Sequence, residues 1–257
     1  MKLNFKKLGQ EGPQVIILHG VFGFLDNWQT IGKQISDAGF QVYLVDQRNH
    51  GRSPHQAPMN YATFAEDLKE FIEQQDLVSP ILIGHSMGGK TVMQYAVNYP
   101  NTYAKLVIVD IGPKAYPIHH QKLLEGLNAL DLKGLTSRQD ADDQLAYYES
   151  NLGVRQFLLK NLYRTEDNGF AWRFNLPVLT ADMDKVGQKI EPNHPILQPT
   201  CFIRGAKSDY IQDEDWEEIS NIFPKAKLET IDNAGHWIHA EQPRAFLEVL
   251  LPFLNQP

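Results

Sequence analysis

The chain has 257 residues, 42% hydrophobic and 21% charged, enough for one large α/β domain or a core domain with an insertion. Its formal net charge of −7 repels phosphate backbones and argues against nucleic acid as a partner. A single cysteine, Cys201, excludes an internal disulfide. Cys201 sits in a strand-like run, so a buried packing role is expected rather than catalysis. The opening MKLNFKKLG lacks the apolar segment of a signal peptide, and no run approaches the roughly 18 apolar residues of a membrane span. A cytoplasmic protein is expected.

Residues 2–8 alternate apolar and polar side chains, as a half-buried strand does. Gln14 to Leu18 is a continuous apolar run, which predicts a central parallel strand. Asn27 to Ala38 reads as a helix closed by Gly39. Gln41 to Val45 is the next strand and ends in Asp46, followed by a loop to Pro58. Tyr61 to Gln75 carries Phe64, Leu68, Phe71 and Ile72 at helical spacing. Pro80 to Gly84 is a strand, Gly88 to Asn98 a helix stopped before Pro100, and Lys105 to Val109 a strand ending in Asp110. This alternation predicts a parallel sheet with right-handed crossovers.

The rhythm breaks after Asp110. Residues 113–195 show no convincing apolar strand, only helical patterns over His119 to Leu130, Ser137 to Ser150, Val154 to Arg164 and Asn175 to Gln188. Ser137 is the expected N-cap of the second. We expect a core of residues 1–112 and 196–257, with 113–195 as a helical insertion. The core resumes with a strand over Thr200 to Ile203, a helix over Asp213 to Phe223, a last strand over Lys227 to Ile231 and a closing helix over Gln242 to Leu254.

Two chemistries claim ILIGHSMGGKT, Ile81 to Thr91. Gly84-His85-Ser86-Met87-Gly88 fits the G-x-S-x-G elbow of serine hydrolases. Gly84 through Thr91 also fits the G-x-x-x-x-G-K-[ST] phosphate loop, with Asp110 as a magnesium-binding acid and Lys90 on the terminal phosphates. The alternative for Lys90 is a helix lysine facing solvent or a carboxylate. The elbow makes further demands, and the chain meets them. His19-Gly20-Val21-Phe22-Gly23 follows a strand and can supply a second oxyanion N–H. Asn233-Ala234-Gly235-His236-Trp237 puts a histidine after the last strand, and Asp209 precedes it after another strand. Ser…Asp…His is the chain order of the hydrolase elbow. The phosphate loop explains none of these C-terminal features.

HGVFG with Asp26-Asn27-Trp28, DQRNHGRS (Asp46 to Ser53), GHSMGGKT, VDIGP and NAGHWIHAEQP together resemble the α/β-hydrolase family. The chain is most similar to its small bacterial ybfF-type esterases and their mitochondrial abhydrolase relatives. The resemblance spans nearly the whole chain. It includes the insertion, where QDADDQL, GVRQFLLKNL and WRFNLPVL resemble the cap of those esterases. It implies an α/β-hydrolase fold, a mostly parallel central sheet flanked by helices with a helical cap inserted after the sixth strand. It also implies hydrolysis of small-molecule acyl esters, in some members acyl-CoA thioesters, without metal or organic cofactor.

On this reading Ser86 is the nucleophile and His236 its base, with Met87 and Val21 N–H as the oxyanion hole and Phe22 N–H as the alternative second donor. Asp209 is the preferred acid, at the usual place after the insertion. Asp110 is the rival, because close relatives can use the acid after the preceding strand. Asp182 and Asp184 are outside candidates. Phe22, Trp28, Tyr116, Trp172, Phe174 and Trp237 are candidate pocket residues, although aromatics equally form plain core. His19 is expected to brace the oxyanion loop, His85 to pack the elbow and His239 to start a solvated helix. His119 and His120 lack the further ligands a metal site needs. Hydrolysis of C–C bonds or a lyase step on the same triad, a non-catalytic ligand receptor and a nucleotide hydrolase are the competing functions.

Overall fold

The computed structural model describes residues 1–117 and 121–256. Strands β1 (Phe5–Leu8), β2 (Gln14–Leu18), β3 (Gln41–Val45), β4 (Ile81–His85) and β5 (Leu106–Val109) come first. The hairpin strands β6 (Leu162–Arg164) and β7 (Phe170–Trp172) and the core strands β8 (Thr200–Gly205) and β9 (Ala226–Ile231) follow. The main sheet runs β1-β3-β2-β4-β5-β8-β9. Only β1 is antiparallel to its neighbour; every other pair is parallel.

Both faces of the sheet's central strands are covered, which is why β2 to β5 read as nearly unbroken apolar runs. Ile16 and Leu18 point to one face, against Phe64 and Leu68 of α2 (Tyr61–Gln74) and Val92 of α3 (Met87–Asn98). Val15 and Ile17 point to the other, against Ile31 and Ile35 of α1 (Gln29–Asp37) and a C-terminal helix that carries Phe246 and Leu250. Local chemistry sets the helix starts. The Asn60 side chain accepts from Thr63 N–H at 2.9 Å and caps α2.

The insertion leaves the core after β5, the strand counted sixth by the resemblance. It holds α4 (Gln121–Ala129), α5 (Arg138–Leu145), α6 (Leu152–Leu159) and α7 (Leu176–Val186). Ser137 caps α5 through Asp140 N–H at 3.1 Å. The helix expected to run from Val154 to Arg164 instead ends at Leu159, and the chain turns into the β6–β7 hairpin. Three-residue strands are too short to show a period of two. The chain then returns through β8, α8 (Trp216–Ile222), β9, α9 (Ile238–Glu241) and α10 (Pro243–Leu254). Among the described residues no helix is long and apolar enough to cross a membrane. Cys201 is buried in β8, and burial pushes its thiol up to about 12, so it stays a packed thiol.

Candidate active site

Parallel strands deliver their carboxyl ends to one edge of the sheet, and that edge is where an open α/β sheet binds ligands. The loops after β2, β4, β5, β8 and β9 bring His19–Gly23, Ser86, Asp110, Ser208 and His236 there.

Ser86 sits between β4 and α3 with φ 52° and ψ −118°, a conformation an L-residue adopts only under constraint. The flanking glycines supply the constraint. A Cβ on Gly84 would lie 2.2 Å from the Gly88 carbonyl oxygen, and one on Gly88 would lie 2.4 Å from the Leu18 carbonyl oxygen. The turn is therefore packed backbone against backbone and holds the serine out at its tip.

His236 follows β9. Its Nδ1 lies 2.8 Å from Asp110 Oδ2. With a carboxylate there, Nδ1 carries the proton and Nε2 keeps its lone pair. Nε2 has no protein partner among the described residues. Tyr210 stacks on the imidazole at 4.0 Å and 20°. Asp110 is fully buried and has φ 51°. Its Oδ1 accepts from Gly205 N–H at 3.1 Å, and its Oδ2 also accepts from the Ser208 hydroxyl.

The preference for Asp209 is corrected by this geometry. Asp110 follows β5 immediately and lies under the histidine. Asp209 lies four residues beyond the end of β8, on an exposed turn, and bonds to nothing among the described residues. Asp182, by contrast, is committed elsewhere, to Met59 N–H at 2.8 Å and to Lys185.

The loop Gly20 to Gly23 is a tight turn in which Gly23 N–H donates to Gly20 O at 3.0 Å. A Cβ on Gly20 would lie 3.2 Å from Ser86 Cβ, so the loop backbone passes beside Ser86. Val21 N–H and Met87 N–H donate to no protein acceptor among the described residues. Phe22 N–H is committed to His50 Nε2 at 3.3 Å, which removes it as the alternative donor. His19 braces this loop as expected: Nδ1–H donates to Gly20 O at 2.8 Å and Nε2 accepts from Gln47 N–H at 3.1 Å. Burial pushes His19 down to about 4 and His50 to about 3, so both are neutral at pH 7. Burial also drives His85 well below the usual range, and its Nε2–H donates to the His236 carbonyl at 2.8 Å.

Ser86 and His236 line one cavity of about 360 Å³. Phe22 and Trp237, two of the candidate pocket residues, border it. Tyr116 borders a separate recess of about 30 Å³ beside Ser86, a notch rather than a chamber. The other three aromatics are core. Trp28 is 1% exposed and stacks on His239 at 3.9 Å, behind the elbow. Trp172 and Phe174 stack at 5.0 Å, and Phe174 braces Phe22 edge-on. His239 is thus buried, not solvated, because Trp28 covers it. The sequence reading missed Leu123, Val154, Phe157 and Leu158 of the insertion, which form the apolar wall. Their helical spacing marked a buried face without saying that the face covers a cavity.

Lys90 departs from expectation most. It is fully buried, not on the helix surface. Its ammonium donates to the carbonyls of Lys114, at 2.7 Å, and Gln188. With Lys90 so committed and Asp110 held by His236, the phosphate-loop reading has no ligands left. His119 and His120 lie outside the described residues.

Residues 13–243 match the family described as alpha/beta hydrolase fold. The chain belongs to that family. It is 34% identical over 263 residues to "Esterase YbfF" of Escherichia coli, covering 99% of this chain and 100% of that protein. It is 36% identical over 249 residues to mouse "sn-1-specific diacylglycerol lipase ABHD11", covering 94% of this chain and 81% of that protein. Among solved structures, "Marine microorganism esterase" superposes with a TM-score of 0.95 at 43% identity, covering 98% and 99% of the two chains. Relatives named as esterases and lipases agree with the ester-hydrolase class expected from the sequence.

Proposed function

We propose that the chain is a serine hydrolase that cleaves carboxylic acyl esters through a Ser86–His236–Asp110 triad and an acyl-enzyme intermediate. The observation that carries this reading is the His236–Asp110 pair at 2.8 Å, whose histidine borders the same cavity as a serine held at positive φ. A serine hydroxyl is a weak nucleophile and needs an adjacent base. His236 Nε2 takes its proton as Oγ attacks the acyl carbonyl. Asp110 keeps the imidazole in the right tautomer and stabilises the imidazolium, without itself taking the proton.

The developing oxyanion is received by Val21 and Met87 N–H. Both are backbone donors without a competing protein acceptor, so they need no reorganisation when charge appears. His236 then protonates the leaving alkoxide, or thiolate if the substrate is an acyl-CoA. Water repeats the sequence to release the acid. The substrate is a small acyl compound with an apolar portion suited to a cavity walled by Leu123, Val154 and Phe157. A receptor without catalysis would not need a serine at positive φ beside a histidine–carboxylate pair.

The test is reaction with a fluorophosphonate probe, followed by mapping of the adduct. Labelling at Ser86 that vanishes in Ser86→Ala is the expected result. Absence of labelling, or labelling elsewhere, would overturn the proposal. A panel of oxygen esters and CoA thioesters of increasing chain length then ranks leaving group and acyl length.

A further inference from the structure

Asn161 belongs to the insertion, just beyond α6, and is 0% exposed. Its Nδ2 donates to Phe22 O at 2.7 Å, across 139 residues of sequence. Its backbone is fixed too, since Arg173 N–H donates to Asn161 O at 2.9 Å and ties it to the hairpin. Phe22 is held at φ 58°, a conformation that is costly for a bulky residue. It persists only if the surroundings impose it. They do so from both sides: His50 takes the Phe22 N–H, and Asn161 supplies a donor to the Phe22 carbonyl.

The consequence runs through two peptide planes. The Phe22–Gly23 peptide bears the carbonyl that Asn161 holds and the Gly23 N–H that closes the turn onto Gly20 O at 3.0 Å. Gly20 O belongs to the Gly20–Val21 peptide. In a planar trans peptide the N–H points opposite to the carbonyl. Holding Gly20 O therefore aims Val21 N–H, the oxyanion donor. We infer that Asn161 is a positioning residue through which the insertion sets the orientation of the oxyanion hole. The inference rests on the serine-hydrolase reading above.

A displaced donor weakens transition-state stabilisation more than ground-state binding. Asn161→Leu keeps the volume and removes the donor. Asn161→Asp keeps the shape, and its side chain can donate only when protonated, which burial favours. The charged or titratable groups around it are His50 across the Phe22 peptide, Arg138 on the Leu162 carbonyl and Arg173 over Tyr163.

The experiment compares both variants with the wild-type protein on a chromogenic acetate ester. It also measures inhibition by an aryl trifluoromethyl ketone, whose serine adduct places an oxyanion in the hole, and thermal melting. For Asn161→Leu, kcat falls about tenfold with KM within about twofold, and ketone affinity falls in step with kcat. For Asn161→Asp, kcat relative to wild type rises as pH is lowered from about 8 to about 5.5. This ratio is decisive if the leucine variant does not fold.

A kcat within about twofold of wild type at the wild-type melting temperature overturns the inference. So does a loss carried by KM alone, or an aspartate ratio that is flat with pH. A wild-type protein that neither hydrolyses esters nor labels at Ser86 sinks the functional reading and this inference together. An active wild type matched by its variants sinks this inference alone.

Discussion

Asp110 and His236 are 126 positions apart in the chain and 2.8 Å apart in space, carboxylate oxygen to imidazole nitrogen. β5 and β8 are sheet neighbours, so their exits converge. Each is followed by an aspartate, but only the one at the strand end reaches the histidine. Asp110→Asn should lower kcat on a chromogenic ester by about 10²–10⁴-fold, because an amide no longer stabilises the imidazolium and can favour the wrong tautomer. Asp209→Asn, on an exposed turn, should stay within about twofold of wild type. Full activity in the Asp110 variant would displace it from the triad.

Gly84→Ala should break the elbow. The added Cβ meets the Gly88 carbonyl oxygen at 2.2 Å, and neither partner is a flexible side chain that could swing away. A loss of about 2–4 kcal/mol of stability is expected, with Ser86 displaced and ester hydrolysis lost. Denaturant unfolding and initial rates check it; a variant that unfolds and turns over like wild type contradicts it.

Lys90 should make stability depend on alkaline pH. Burial pushes its ammonium down to about 7 from 10.5. Across that window the unfolded chain holds a proton that the folded chain lacks, so stability rises with pH. Below about 7 the cost of burying the charge is present in full. Lys90→Met removes this contribution to the slope. Urea midpoints from neutral to about pH 9.5 should therefore shift in favour of wild type relative to the variant as pH rises. Parallel curves would refute it.

The buried histidines act at the acid end. His19 is lowered to about 4, His50 and His239 to about 3, and His85 well below its usual range, all chiefly by burial. Between the unfolded value of 6.5 and those folded values the unfolded chain binds more protons, so stability is lost as pH falls. Urea unfolding should weaken progressively below pH 6.5, by several kcal/mol before about pH 4. A constant midpoint over that range would show that these rings are not held neutral.

Much of this was legible beforehand because local rules carry it. Continuous apolar runs mark strands covered on both faces, and helical periodicity marked α2 and α3 to within a residue or two. Gly84 and Gly88 announced the elbow because only glycine permits that backbone contact. The β6–β7 hairpin was not legible, since three-residue strands carry no period. Trp28, Trp172 and Phe174 could not be divided from Phe22 and Trp237, because an aromatic side chain suits core and cavity wall alike.

The sequence by itself determined which segments become strands and helices, their alternation, the serine at the elbow and the late histidine, since each depends on neighbours close in the chain. Tertiary structure alone decided which aspartate meets His236, that Lys90 is buried against two carbonyls, and that Asn161 reaches Phe22. Those choices depend on where separate strand exits and loops converge. Loop length and direction fix that convergence only after the sheet has brought distant segments to one edge.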